Sequence, residues 1–337
     1  MELIILPWNL PKLTKRGNFY KVGLMKVFSG SSNPRLARKV AKVAKIKFGK
    51  VELSRFANGE ARVFVKDKVN NSTAVVLQSF SKPVDEHIIE FCLLCDALKR
   101  LGAKKIIAIV PWLGYSKQDK VFREGEPLSI KVIAKIIQTA PFDKLIVFDL
   151  HNQSIIGFFD KPVVQLSARS LFLEYFKRIC RDRPCRSART VPARFAGEYI
   201  VIAPDAGSIK NSTAFARKLN LPIAYIDKER DLISGKVKIH GISKEVKGKK
   251  AIIVDDMIST GSTLIETARF LKKKGVKKAY VAATHHLFVP GATQKLLKSP
   301  IDKLLISDTI MPKSLSKSKK LEVLSVAGII KKELKNL

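Results

Sequence analysis

The segment AIIVDDMISTGSTLIETARFLKKKG, residues 251–275, combines residue types that bind phosphate and sugar hydroxyls. An apolar strand ends in two adjacent acids, Asp255 and Asp256, and a short polar turn then begins an amphipathic helix. Backbone N–H groups at a helix N-terminus attract anions, and Gly261 lets the backbone approach a phosphate closely. The predicted phosphate loop comprises Ser259, Thr260, Gly261, Ser262 and Thr263.

The two acids favour a ligand site over a purely structural turn. Ser and Thr are preferred helix caps, so the alternative is an ordinary capped helix after a strand. Burying Asp255 and Asp256 without a ligand or a cation would be costly, however. Carboxylates accept two hydrogen bonds in a fixed geometry, which suits a pair of sugar hydroxyls.

The elements around this segment predict an α/β fold. From Met25 onward, short β-branched runs alternate with helical stretches, which is typical of mainly parallel sheets flanked by helices. Ligands bind at the carboxyl edge of such sheets. Polar residues at the predicted strand ends are Asp149, His151, Asp205, Asp227, Asp255 and Asp256.

Length and composition indicate a soluble protein of two domains. The chain has 337 residues, 46% of them hydrophobic, and no apolar run approaches the roughly 18 residues that span a bilayer. Cys92 and Cys95 lie in an apolar helical run, which favours core packing over a metal or redox pair. A reducing cytoplasm is the expected location.

The net charge of +34, from 63 basic and 29 acidic residues, predicts anionic partners. Nucleic acid is one candidate, but the lysines are scattered and no basic-aromatic interleaving occurs, so phosphorylated small molecules are preferred. Residues 181–194 are interpreted as an exposed arginine-rich loop, with an RNA contact as the alternative. Residues 1–24 are interpreted as a disordered arm or a misplaced start, since they lack the features of a signal peptide.

The motif VDDMISTGST resembles the phosphoribosyl-diphosphate-binding motif shared by phosphoribosyltransferases and ribose-phosphate diphosphokinases. The motif alone does not separate the two families. Four other segments resemble the diphosphokinases, and that resemblance runs from about Met25 to the C-terminus.

The segment RFANGEARVFV resembles a family hairpin that holds the adenine of ATP bound to a neighbouring subunit. The matching positions are Phe56, Asn58 and Glu60. Phe56 offers a stacking face, and Asn58 and Glu60 offer acceptors for an exocyclic amine. Taken alone, Asn-Gly is simply a hairpin turn.

The segment PWLGYSKQDK resembles one that reaches the ATP phosphates, which implies that Lys117, Gln118 and Asp119 bind ATP. Lysine stands where the family has arginine. It keeps the charge but loses the bidentate fork, so a looser phosphate contact is expected.

The segment DLHNQSIIGFFD resembles one whose histidine binds magnesium and ATP, which implies that His151 is a Mg²⁺ ligand. Asp205 is the second ligand by the same resemblance. Gln153 lies one position before the family's glutamine, whose place is taken by Ser154. In YIDKERDLISGKV, Lys228 and Arg230 match a catalytic loop that closes over the transferred phosphates.

The resemblance implies that the β,γ-diphosphate of ATP is transferred to O1 of ribose 5-phosphate. It further implies two similar phosphoribosyltransferase-type domains in a homodimer or homohexamer. The expected division is an extension at 1–24, an N-terminal domain at 25–168, a C-terminal domain at 169–311, and a segment at 312–337 that packs back on the first domain. The rival functions are a phosphoribosyltransferase and a noncatalytic regulatory or RNA-binding paralogue.

Overall fold

A computed structural model describes residues 25–179, 197–230, 237–312 and 314–337. The two stretches at 1–24 and 181–194, for which the sequence predicts an arm and an arginine-rich loop, lie outside the described residues.

The first sheet has six strands, all parallel, in the order β2-β1-β5-β6-β7-β8. Its strands are β1 Met25–Ser29, β2 Lys47–Phe48, β5 Thr73–Leu77, β6 Lys105–Val110, β7 Lys144–Phe148 and β8 Val163–Leu166. A separate antiparallel hairpin is formed by β3 Val51–Arg55 and β4 Ala61–Val65.

The second sheet has seven strands in the order β11-β10-β9-β12-β13-β14-β15, and β11 is its antiparallel member. Its strands are β9 Tyr199–Ala203, β10 Ile223–Arg230, β11 Val237–Ile242, β12 Lys250–Ile258, β13 Lys278–His286, β14 Lys303–Ser307 and β15 Leu321–Leu324. We call the two sheets with their helices the first and second units.

Helices follow most strands, as expected for parallel sheets. They are α1 Pro34–Ala44, α2 Val84–Arg100, α3 Ser129–Gln138, α4 Arg169–Ile179, α5 Ile209–Leu219, α6 Ser262–Lys273, α7 Ala292–Lys298 and α8 Ala327–Leu334, together with a 3-10 helix at Gln153–Phe158. Among the described residues, no helix is both long and apolar enough to cross a membrane.

One hydrophobic core is continuous between the two units. It contains Phe148 at the carboxyl end of β7 in the first sheet, Ile252 in β12 of the second sheet, and residues of α1, α4, α5 and α8. The other face of each sheet has its own hydrophobic cluster. In the first unit this cluster includes residues of α2 and α3, and in the second unit it includes residues of α6. Cys95 is fully buried in the first of these two clusters.

Polar contacts also connect the units. The Asn33 side chain donates to the carbonyl of Asp308 (2.8 Å), and Lys39 forms an ion pair with the Asp308 carboxylate (3.0 Å). The C-terminal helix α8 packs on α1, and its Glu333 pairs with Lys144 (2.9 Å). The chain end therefore contacts the first unit, while the domain limits derived from the sequence stay a prediction.

The predicted α/β fold with mainly parallel sheets is confirmed, but two strand ends were placed wrongly. The strand predicted to end in Asp255 and Asp256 continues to Ile258, because β13 pairs with it as far as His286. The sequence predicts that a strand ends near Asp227, whereas β10 continues to Arg230 because β11 pairs with it. The register of this pair shifts between Asp227 and Lys228. Asp227 is exposed and does not point into a cavity of the site described below.

Candidate active site

The phosphate loop forms an uncapped helix N-terminus. Gly261 occupies the N-cap position of α6 in the left-handed region (φ 79°), and no side chain caps the helix. A Cβ at Gly261 would lie 2.9 Å from Cγ of Leu296, so the turn requires glycine. The hydroxyls of Thr260 and Ser262 lie 3.1 Å apart on exposed residues. The N–H groups and hydroxyls of this turn can therefore bind an anion.

The two acids lie within β12, before the loop. The backbone N–H of Asp256 donates to Oδ1 of Asp255 (2.9 Å). Burial, reinforced by the neighbouring Asp256 charge, raises the pKa of Asp255 to about 8. For Asp256, burial acts to raise the pKa, but hydrogen bonds with His151 and Asp255 outweigh it and lower the pKa. The pair thus retains one proton near neutral pH unless a cation or hydroxyl ligand intervenes.

His151 connects the edges of the two sheets. It follows β7 in the first unit, and its Nδ1 lies 2.7 Å from Oδ2 of Asp256 in the second. This hydrogen bond raises the pKa of His151, while burial opposes the shift. The side chain remains 45% exposed. Its Nε2 can therefore face a ligand while Nδ1 is held by the acid.

A cavity of about 350 Å³ lies between the carboxyl edges of the sheets. This is the size of a small-molecule site. It is lined by Asp119, His151, Asp205, Asp255 and Asp256, all of which the sequence predicts as site residues. Residues from both units thus meet in one place.

Lys228 contacts this cavity through Asp205. Its Nζ lies 3.2 Å from Oδ2 of Asp205, and its side chain is 12% exposed. The other carboxylate oxygen of Asp205 accepts the N–H of Ser208 (2.9 Å). Lys228 and Arg230 lie at the end of β10, directly before residues 231–236, which are outside the described part, as is the Arg230 side chain.

The segment with Lys117, Gln118 and Asp119 only partly faces the cavity. Asp119 lines it and accepts a hydrogen bond from the amide of Asn152 (2.8 Å). Gln118 instead accepts the hydroxyl hydrogen of Ser129 (2.5 Å), and Lys117 is exposed.

The predicted adenine hairpin is confirmed as a hairpin, and it lies apart from the cavity. Its strands are joined by residues 56–60, and Phe56 is 52% exposed. The Asn58 side chain accepts the N–H of Glu60 (3.2 Å). Glu60 lines a separate pocket against α2, and no hairpin residue is among the described residues that line the cavity.

Other residues of the cavity were not assigned a site role from the sequence. The polar ones among them are Lys120, Asn152, Arg169, Ser208 and Asn211. Asn152 and Ser208 lie beside predicted site residues, and their polar character is the signal that could have identified them. Arg169 and Asn211 belong to helices, and their position near the site depends on packing.

The donors in the cavity fit Mg²⁺ when it is carried by phosphate. In the described part of the chain, no group of three or more His, Cys, Asp or Glu residues is close enough to hold a metal unaided. Mg²⁺ usually retains waters and binds one or two carboxylates plus substrate phosphates. His151 and Asp205, the predicted ligands, both line the cavity, and Asp119 adds a hard oxygen donor.

Two mainly parallel α/β units, with paired acids followed by an anion-binding turn, define a protein of the phosphoribosyltransferase-type fold class. Residues 25–140 match the N-terminal domain of ribose phosphate pyrophosphokinase, and residues 233–337 match the phosphoribosyl synthetase-associated domain. The chain belongs to the ribose-phosphate pyrophosphokinase family, which is the diphosphokinase family that the motifs indicate.

Individual relatives support this membership along nearly the whole chain. The ribose-phosphate pyrophosphokinase of Fusobacterium nucleatum is 36% identical over 306 residues, which cover 90% of this chain and 92% of the relative. That of Aquifex aeolicus is 34% identical over 314 residues, covering 93% and 96%. The crystal structure of phosphoribosylpyrophosphate synthetase from Mycobacterium smegmatis aligns with a TM-score of 0.80 at 32% identity, covering 92% of this chain and 97% of that one.

Proposed function

We propose that this protein transfers the β,γ-diphosphate of ATP to O1 of ribose 5-phosphate, giving 5-phosphoribosyl 1-diphosphate and AMP for nucleotide synthesis. The observation that carries the proposal is the shared cavity. There, residues of the first unit that are predicted to bind ATP and Mg²⁺ meet Asp255 and Asp256 of the second unit, which are predicted to bind the sugar hydroxyls. The 2.7 Å contact between His151 and Asp256 joins the two sides.

Ribose 5-phosphate binds to the second unit. Its phosphate occupies the phosphate loop, at the uncapped N-terminus of α6. Its 2- and 3-hydroxyls bind Asp255 and Asp256, which ionise together more readily when hydroxyl hydrogens are donated to them. O1 then faces the cavity.

ATP phosphates bind on the side of Asp119, Lys117 and Gln118, and Mg²⁺ at His151 and Asp205 would neutralise phosphate charge there. Asp205 forms an ion pair with Lys228. Phosphate oxygens compete for this ammonium group, so Lys228 moves its charge to the substrate when ATP binds.

Transfer is an in-line displacement in which O1 attacks the β-phosphorus and loses its proton to water, while the bond from the β-phosphorus to AMP breaks and AMP leaves. Positioning and electrostatic stabilisation supply most of the catalysis in such reactions. Lys228 and Arg230 stabilise charge on the nonbridging and leaving oxygens.

The adenine site needs a second copy of the chain. Phe56, Asn58 and Glu60 lie on a hairpin that lines a pocket apart from the cavity, so within one chain they are not next to the phosphate site. We therefore propose a homodimer or homohexamer in which each hairpin completes a neighbour's ATP site. Free thiols at Cys92 and Cys95 agree with a cytoplasmic location.

Phosphorus NMR of the purified protein with ATP, Mg²⁺ and ribose 5-phosphate tests the reaction. Phosphoribosyl diphosphate and AMP should appear in equal amounts. Intact ATP, or ADP in place of AMP, would contradict the proposal. A transferase would instead consume phosphoribosyl diphosphate when a free base is added.

A further inference from the structure

Arg169 is the first residue of α4 and lines the cavity. The chain passes from β8 of the first sheet to β9 of the second through this helix, so Arg169 lies where the two units meet. Its side chain is 27% exposed. None of the roles proposed above involves this guanidinium.

Two contacts orient the guanidinium. Its Nε lies 4.0 Å from Oδ1 of Asp149, and its Nη1 donates to Oδ1 of Asn211 (2.9 Å). Asp149 is itself fixed, because its Oδ2 accepts hydrogen bonds from the Ala168 N–H (2.9 Å) and the Thr284 hydroxyl (2.6 Å). The side chain of Asp149 is almost fully buried. Arg169 is thus held by groups from both units.

These contacts leave donors for a ligand. A guanidinium has five N–H donors in a planar fork, and within the described residues Nη2 has no hydrogen-bond partner. Four carboxylates, those of Asp119, Asp205, Asp255 and Asp256, also line this cavity. A polyphosphate in such surroundings needs a fixed cation, and a guanidinium fork binds phosphate oxygens in pairs.

We propose that Arg169 is a further catalytic residue, which binds the diphosphoryl group of ATP while it is transferred. The inference rests on the proposed function. The alternative anion, the 5-phosphate of the sugar, is assigned to the phosphate loop. None of the described residues lining this cavity belongs to that loop, so the two phosphates occupy different places.

The expected contribution is to the transition state. As O1 bonds to the β-phosphorus and the bond to AMP breaks, charge on the nonbridging oxygens is stabilised by a donor that is already in place. Removing one such preorganised donor typically lowers kcat by about 100-fold.

The test compares Arg169→Met and Arg169→Lys with Arg178→Met by measuring AMP release. Arg178 is a matched control, since it lies on the same helix, is 74% exposed and does not line the cavity. We expect Arg169→Met to lower kcat about 100-fold and raise the KM for ATP, with the KM for ribose 5-phosphate changed less than about threefold. Arg169→Lys should lose about tenfold, because the charge remains without the fork.

A second measurement separates substrate contact from a structural role. Added guanidinium ion should restore part of the activity of Arg169→Ala, which leaves room for it, and should not affect Arg178→Met. Rates of Arg169→Met equal to those of the control would overturn the inference while leaving the proposed function intact. A larger rise in the KM for ribose 5-phosphate than for ATP would also overturn it, as would a loss without rescue that parallels a lower Tm. If the wild-type protein forms no phosphoribosyl diphosphate, both proposals fail.

Discussion

The connections after β5 and after β12 occupy the same place in their sheets, yet their roles differ. Each lies between a central strand and the helix that follows, since the sheet orders β1-β5-β6-β7 and β9-β12-β13-β14 correspond. In the second unit this connection is the phosphate loop. In the first unit it is residues 78–83, which precede α2.

The first connection is used for packing between the units. Gln78 and Ser79 are fully buried, and the hydroxyl of Ser79 donates to the carbonyl of Thr309 (2.5 Å) in the second unit. The first turn of α2 carries Asp85 and Glu86, which disfavour an anion at that helix end. The first turn of α6 carries no acid, and its loop is partly exposed.

The difference shows that the fold supplies the position and that the side chains decide its use. A helix N-terminus at a sheet edge can bind phosphate when its donors are exposed and its first turn lacks acids. The same geometry stabilises the protein when its donors bind another part of the chain. Substitutions in each unit should separate these two uses.

Asp256→Asn should have the largest effect. It removes an acceptor for a sugar hydroxyl and the carboxylate that orients His151, so kcat/KM for ribose 5-phosphate should fall about 1,000-fold, or about 4 kcal/mol. The control in the first unit is Asp96→Asn on the exposed side of α2, which should change the rate less than about threefold. Similar losses in both variants would mean that the effect of Asp256→Asn does not come from the site.

Acid should destabilise the second unit through His286, at the end of β13. Burial lowers the pKa of His286 to about 4. The folded protein leaves this group neutral where the unfolded chain, with a pKa near 6.5, binds a proton. The stabilisation is therefore complete above pH 6.5 and is lost as the pH falls toward 4, by about 2 kcal/mol between pH 7 and pH 5.

Thermal unfolding as a function of pH measures this effect. His286→Asn keeps an acceptor for the N–H of Phe288 and should flatten the dependence between pH 5 and pH 7. His285 retains its own lowered pKa, also caused by burial, so part of the slope should remain. The corresponding strand β6 ends in Ile109 and Val110, so its carboxyl end carries no titratable group. An unchanged slope in His286→Asn would exclude this explanation.

Gly261→Ala should raise the KM for ribose 5-phosphate about tenfold and cost about 1–2 kcal/mol of stability. The added Cβ meets Leu296 at 2.9 Å while the backbone has φ 79°. Gly248→Ala is the matched control, because Gly248 has φ 76° but nothing within 4 Å of a Cβ. It should lower stability without changing the KM. Equal KM values in both variants would show that the phosphate does not approach Gly261.

The smallest effects should come from one serine in each connection, Ser79 after β5 and Ser262 after β12. Ser79→Ala removes a buried hydrogen bond and should lower the free energy of unfolding by about 1 kcal/mol, with unchanged kinetics. Ser262→Ala removes an exposed donor and should raise the KM for ribose 5-phosphate a few-fold, with unchanged stability. Denaturant unfolding and initial rates measure both. A changed KM in Ser79→Ala together with a lowered stability in Ser262→Ala would contradict the different roles of the two connections.

The sequence was sufficient for features that depend on neighbouring residues. Apolar β-branched runs predicted β5, β6, β7, β9 and β12–β14, and the small polar residues after the two acids predicted the turn that begins α6. It was insufficient where distant segments decide the outcome. β8 is a four-residue strand of intermediate burial, and β10 continues through charged residues because β11 supports it.

The same limit applies to the site. His151 and Asp256 are 105 residues apart, and their 2.7 Å contact depends on how the sheets are packed. Arg169 resembles any basic residue at a helix start, and only the cavity shows what it faces. Roles for Phe56, Asn58, Glu60, Lys228 and Arg230 stay predictions from the resemblance.

The core that runs without interruption between the two sheets limits how the enzyme can move. Close-packed interiors do not shear freely, so we do not expect the two units to rotate as separate domains about a hinge. Heating should accordingly melt both units together, as one calorimetric transition, and neither half should persist when the other has unfolded.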